Sequence, residues 1–206
     1  MLTHLLGQGS FAKVYQAYKI GTKEQFAVKL ISKSLMLQMN ISKEMIINER
    51  NLMFKLNHKN IVKIIEFIVS KNSYYFIFEL CSNGDIHQFM KNHAGGKFQE
   101  AEARRLIQEL SLAFKCMHEQ KIVHRDLKLA NILLTKKFVP KLCDFGFARV
   151  KEDSQIMKSF LGTPVTMAPE VLLGNSYSSS CDLWSIGVII YQMVFGRYPF
   201  QAKVYA

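Results

Sequence analysis

Paired cysteines are missing from this chain. The four present, Cys81, Cys116, Cys143 and Cys181, lie far apart with no C-x-x-C spacing. That excludes the usual zinc and disulfide frameworks, and it favours a reducing compartment with the thiols buried as small apolar groups. A hydrophobic run of membrane length is missing too. The longest uncharged stretch, residues 183–196, falls short of the roughly 18 apolar residues that cross a bilayer. No secretory signal is expected ahead of the first motif, because Gly7 follows Met1 almost at once. A cytosolic or nuclear protein without a membrane span, cytoplasmic in the simplest case, is the expectation.

Acidic residues are scarce. Lys and Arg number 27 against 16 Asp and Glu, a formal net charge of +11. Such a balance permits binding to nucleic acid, acidic lipid or acidic protein without requiring it. The basic residues are dispersed, no run of five or six exists, and aromatic residues are not interleaved with them. A solvated lysine-rich surface is expected, with no specific nucleic-acid partner. Repeats are absent, and Ser178-Ser179-Ser180 is the one low-complexity patch. With 206 residues, 49% of them hydrophobic and 21% charged, the chain suits one globular domain, or one domain in two lobes.

What is there falls into two halves. Residues 2–6, 13–19 and 25–31 are short segments punctuated by glycine, which predicts antiparallel strands. Residues 42–56 carry Ile46, Met53 and Leu56 at helical spacing. Residues 61–69 and 74–78, rich in β-branched and aromatic side chains, return to strand. Ser82-Asn83-Gly84-Asp85 marks a linker. Beyond it, residues 99–118 form an amphipathic helix with Ala103, Leu106, Ile107, Leu110, Phe114 and Met117 on one face. Short strands follow at 131–134 and 141–143, a short helix at 168–173, and a longer helix at 180–195.

Several polar segments carry chemistry. Gly7-Gln8-Gly9-Ser10-Phe11-Ala12-Lys13-Val14 reads either as a phosphate-cradling loop or as an ordinary glycine hairpin. Ala27-Val28-Lys29 places a lysine in a strand just after it, and Glu49 lies on the next helix. Then come His124-Arg125-Asp126-Leu127-Lys128-Leu129-Ala130-Asn131, Asp144-Phe145-Gly146 and Ala168-Pro169-Glu170. Each alone occurs by chance, but their order and spacing together do not.

In that order the segments match the signature set of the protein kinases, and the chain resembles eukaryotic protein kinases of the serine/threonine type over nearly its whole length. The resemblance implies a bilobal α+β fold: residues 1–80 as an N-lobe of antiparallel sheet with one helix, and residues 81–206 as a mainly helical C-lobe. It implies transfer of the γ-phosphate of ATP, with magnesium, to Ser/Thr hydroxyls of protein substrates. Asp126 would accept the hydroxyl proton, and Asn131 and Asp144 would hold Mg. Lys29 would reach the α- and β-phosphates and pair with Glu49, Lys128 would lie against the γ-phosphate, and Thr163 would hydrogen-bond Asp126. Leu6, Gly7, Gly9, Val14, Ala27 and Leu133 would enclose the nucleotide behind Phe78, and the backbone of Glu79 to Cys81 would read adenine. Asp85 would contact ribose, or equally cap the next helix. Met53, Ile64, His124 and Phe145 resemble a stacked spine, tied at its base by Asp182.

The resemblance extends to regulation. Arg125 before the catalytic aspartate implies control by phosphorylation between Asp144 and Glu170, by an activating kinase or by the chain itself, at Ser159 with Ser154 as the rival. Residues 143–149, 166–171 and 182–187 with 199–202 are most similar to the ULK autophagy-initiating kinases, which implies autophagy-type signalling. Polo-like and calcium/calmodulin-type kinases share much of this, and Thr166 and Ala12 depart from the family pattern. The family continues for several helices beyond Ala206, and residues 180–195 are apolar nearly all round. A C-terminally truncated C-lobe is therefore expected, and with it the alternative of a non-catalytic kinase-fold scaffold.

Overall fold

Alternating β-branched and aromatic residues build the first layer, because such side chains pack best on a pleated surface. In the computed structural model, which describes residues 1–9, 11–92, 94–150, 163–174 and 179–200, strands β1 (Leu2–Gln8), β2 (Ala12–Tyr18), β3 (Gln25–Ser32), β4 (Ile64–Val69) and β5 (Ser73–Glu79) form one antiparallel sheet. The order is β1-β2-β3-β5-β4. Register places Lys29 opposite Val14 on one side and Phe76 on the other, and Ala27 opposite Phe78. Phe76 is completely buried and packs edge-on to Phe67 at 4.8 Å.

Two helices accompany the sheet, not one. Helix α1 (Lys33–Gln38) is a single short turn and a half, started by Ser32 and burying only Met36. One buried side chain leaves no periodic signal, so the sequence pattern passes over it. Helix α2 (Lys43–Lys55) begins where Ser42 Oγ accepts the Met45 N–H at 3.3 Å, and buries Ile46, Glu49, Leu52 and Met53. A buried glutamate on an otherwise apolar stripe needs a cation.

Helices dominate the remainder. Helix α3 (Ile86–Asn92), for which the sequence offered only Asp85 as a cap, follows the predicted linker directly. Helix α4 (Glu100–Glu119) buries Ala103, Leu106, Leu110, Ala113 and Met117, a stripe alternating three and four residues apart. Two small ribbons lie beside it: β6 (Ile122–Val123) pairs with β9 (Arg149–Val150), and β7 (Ile132–Leu134) with β8 (Pro140–Leu142). Helix α5 (Pro169–Leu172) leads to α6 (Ser180–Phe195). Gly196 ends α6 at φ 70°, and a Cβ there would stand 3.1 Å from Gly96 O, so glycine is required twice over. The α+β class is as expected.

One continuous core runs from Ile31, Met53 and Phe76 through Phe145 and Leu106 to Ile189 and Met193, so sheet and helices share a single interior. In its residues helix α6 is apolar nearly all round. It buries Cys181, Ser185, Val188, Ile189, Gln192 and Met193, while Leu183 and Phe195 remain exposed at 69% and 54%. Among the described residues its packing is one-sided, because only that face meets the core.

Candidate functional site

The loop between β6 and β7 is shaped from below by Asp182. This residue lies in the first turn of α6, and its two carboxylate oxygens accept the backbone N–H of His124 at 2.8 Å and of Arg125 at 3.0 Å. Burial pushes the Asp182 carboxyl up, and the charge on His124 and these two amides work against that. Arg125 takes φ 69°, an unfavourable region for a residue with a side chain. The two Asp182 bonds hold it there, and the turn presents Asp126.

Every oxygen of the Asp126 carboxylate is engaged. Thr163 Oγ1 donates to Oδ1 at 2.8 Å, while Lys128 Nζ at 2.8 Å and Asn131 Nδ2 at 3.1 Å donate to Oδ2. Lys128 also donates to Thr163 Oγ1 at 2.9 Å, which closes a three-membered network. Asn131 Nδ2 further donates to the Asp126 carbonyl at 2.8 Å. The Asn131 amide nitrogen is thereby committed inward, and its oxygen is left as an acceptor for something else.

A second cluster centres on Lys29. Its ammonium donates to Glu49 at 2.7 Å and to Asp144 at 3.0 Å, joining β3, α2 and the segment after β8. Burial works to lower the Lys29 pKa, but Asp144 first and Glu49 second outweigh it and hold it above its ordinary value. Lys29 in turn holds Asp144 below the usual carboxylate range. For Glu49 burial prevails, and its carboxyl is raised despite Lys29. Asp144 itself adopts φ 62°. Phe145 beside it is fully buried, its ring 4.8 Å from the His124 ring, so the aspartate and the loop carrying Asp126 share an anchor. At Gly146 a Cβ would come 3.4 Å from Glu49 Oε2, ordinary van der Waals contact, so this segment lies against α2.

Val14 and Ala27 on the sheet and Leu133 on β7 are half-buried apolar groups, with Leu6 more exposed. Leu133 bridges to Asp85. The Glu79 carboxylate is turned away, accepting Lys141 Nζ and Lys63 N–H at 2.7 Å each, and the Glu79 N–H donates to Lys63 O at 3.1 Å. Cys81 is buried, yet among the described residues its N–H has no hydrogen-bond partner. Burial, reinforced by Glu79, pushes its thiol up to about 12.

Gly7 and Gly9 stand where β1 turns into β2. Neither has a left-handed φ, a Cβ on Gly7 would meet nothing within 4 Å, and the hairpin is closed by Gly9 N–H to Ala12 O at 2.8 Å. The protein's own packing therefore does not demand these glycines.

Asp85 Oδ1 accepts the Gln88 N–H at 2.9 Å, so the capping alternative is realised. Ser154 and Ser159 lie outside the described residues. The sequence reading missed two anchors. Asn48, next to Glu49, donates to Ala148 O at 2.9 Å, and fully buried Asn60 donates to Pro140 O at 2.9 Å. Both bonds end on backbone carbonyls, which any residue supplies.

No metal cage is present among the described residues, where no group of three or more His, Cys, Asp or Glu is placed to hold an ion. Asp144 offers a carboxylate, and Asn131 an amide oxygen that accepts no hydrogen bond among the described residues, both of them oxygen donors. That suits magnesium, which takes its remaining ligands from water and phosphate.

Comparison with known proteins matches residues 2–205 to the model of the protein kinase domain. Relatives include the serine/threonine-protein kinase PLK4 of Drosophila ananassae, 34% identical over 199 residues covering 96% of this chain. The mouse serine/threonine-protein kinase 33 is 35% identical over 97% of the chain, and the rat serine/threonine-protein kinase ULK3 is 35% identical over all of it. The chain spans 26% of that PLK4, 42% of kinase 33 and 43% of ULK3. Among the described residues no helix is long and apolar enough to cross a membrane.

Proposed function

The chain belongs to the protein kinase domain family, with serine/threonine kinases as its relatives, and from that premise we propose that it transfers the γ-phosphate of ATP to serine or threonine hydroxyls of protein substrates. The observation that carries this reading is the pair of clusters described above. One network orients Asp126 through Thr163, Lys128 and Asn131, and one cation joins Glu49 to Asp144. Phosphoryl transfer asks little covalent chemistry of a protein and much positioning and charge neutralisation. An arrangement of carboxylates, an amide and two lysines supplies both.

In this reading Asp126 accepts the proton of the substrate hydroxyl, and Lys128 stands beside it to neutralise the transferred group. Lys29 holds the α- and β-phosphates, with Glu49 fixing its direction. Asp144 and the oxygen of Asn131 would hold magnesium, which would supply positive charge against the phosphates. The unpaired Cys81 N–H and the Glu79 backbone meet adenine, Val14, Ala27 and Leu133 enclose it, and the room above Gly7 admits the phosphates. Residues 1–80 and 81–206 act as the two lobes. Phosphorylation at Ser159 as the activating event, and a cytoplasmic location, complete the reading. PLK4, kinase 33 and ULK3 stand at nearly equal identity, so an autophagy-type role is only one branch of it.

The test is transfer of labelled γ-phosphate from Mg-ATP to the chain itself and to a generic basic substrate, beside Asp126→Asn. Label in the wild type, lost in the variant and after chelation of magnesium, is the expected result. A folded, ATP-binding wild type that transfers nothing would establish a scaffold instead.

A further inference from the structure

Asn48 reaches from α2 to the backbone that follows Asp144. Its Nδ2 donates to Ala148 O at 2.9 Å, and the adjacent carbonyl, Phe147 O, accepts Arg125 Nε at 2.6 Å. Two neighbouring carbonyls are thus held from opposite sides, one by the helix that carries Glu49 and the other by the loop that carries Asp126. Ala148 is fully buried and its N–H is already bonded to Phe145 O at 3.0 Å. Ala148 O also accepts Arg149 Nη1 at 3.0 Å, a donor from its own segment, so without Asn48 the carbonyl keeps a partner and only its tie to α2 is lost.

The side chain serves no purpose within its own helix. Asparagine is a weaker helix former than alanine, and Asn48 makes no hydrogen bond inside α2. The close approach of Gly146 to Glu49 shows that α2 and this segment already fit against each other.

We propose that Asn48 is a positioning residue. It ties α2 to the segment after Asp144, so that Glu49 meets Lys29 only when Phe147 and Ala148 are in place. This rests on the kinase reading and deepens it: the helix and the segment assemble as one unit, and the tether is an amide outside the Lys29–Glu49–Asp144 cluster.

The test compares Asn48→Ala, Asn48→Asp and Asn48→His with Asn51→Ala. Asn51 is an exposed asparagine on the same helix whose side chain bonds only Arg50. Measured are kcat, KM for ATP, the thermal midpoint and amide hydrogen exchange over residues 147–150. Losing one hydrogen bond should lower kcat about three- to tenfold in Asn48→Ala, with KM for ATP changed less and the midpoint equal or higher. Asn48→Asp, the same shape without a donor, should lose at least as much. Asn48→His restores a donor at the same reach and should recover at least half of the activity.

Exchange over 147–150 should quicken in the first two variants and not in Asn51→Ala. Equal kcat and exchange in Asn48→Ala, Asn48→Asp and Asn51→Ala would overturn the proposal. So would a loss of activity that follows a fall in midpoint and is not recovered by histidine. An inactive wild type would sink the kinase reading alone, because exchange still decides the tether.

Discussion

Glu49 and Asp144 share one cation, and burial treats them differently. Lys29 holds Asp144 below its usual range, while Glu49, more deeply enclosed, is raised by its burial. In Lys29→Met the offsetting charge is gone, and burial and Asp144 both drive Glu49 higher. The folded chain then keeps a proton that the unfolded chain releases near the ordinary glutamate value. Its stability is full below that value and is lost as pH climbs through the raised one. The thermal midpoint of Lys29→Met should therefore decline between pH 5 and 8 more steeply than that of the wild type, and parallel profiles would contradict it. The thiols give a second expectation. Burial pushes Cys81 and Cys181 up to about 12 and Cys143 well above its ordinary value. Since the thiolate is the nucleophile, iodoacetamide at pH 7.5 should label these three far more slowly in the folded chain than after denaturation.

At the scale of elements, Asp85 separates two roles that one residue can carry. It caps α3 through the Gln88 N–H, and a ribose contact is proposed for the same carboxylate. Asp85→Ala should cost about 1 kcal/mol of stability by loss of the cap and raise KM for ATP. Asp85→Ser should restore the stability, since serine caps as well, yet leave KM high. A serine variant with wild-type KM would assign Asp85 to the helix alone.

The same contrast explains what the sequence made legible. Helices α2, α4 and α6 announce themselves by repetition of buried positions, and the five strands by β-branched and aromatic residues between glycines and turns. Helix α1 buries only Met36 and α3 only Ile86 and Met90, too few for a period to show. Which charged side chains meet was readable from the order of the motifs, as with Lys29 and Glu49. The reach of Asn48 to the main-chain carbonyl of Ala148, and of Asn60 to that of Pro140, was not, because any residue supplies such an acceptor; Asn60 also donates to Glu109 Oε2 at 3.3 Å.

For the whole molecule, the outer face of α6 leaves apolar side chains exposed among the described residues. Leu183 stands open, and nearby Trp184 stacks on an exposed Phe200 at 5.5 Å. Contiguous apolar surface of this kind promotes association and dye binding. Leu183→Glu should lower binding of a hydrophobic dye and self-association at high concentration. The thermal midpoint should hardly move, because an exposed side chain contributes within about 0.5 kcal/mol. Unchanged dye binding would place the apolar surface elsewhere. The Lys29–Asp144 bond, finally, joins residues 115 positions apart, and this sets an order on the making of the protein. Synthesis proceeds at about 5–20 residues per second, so the sheet and its Lys29–Glu49 pair can exist several seconds before Asp144 has been polymerised. A half-made chain on the ribosome therefore lacks this bond, and Thr163 and Asp182 must still follow before the loop that carries Asp126 is held.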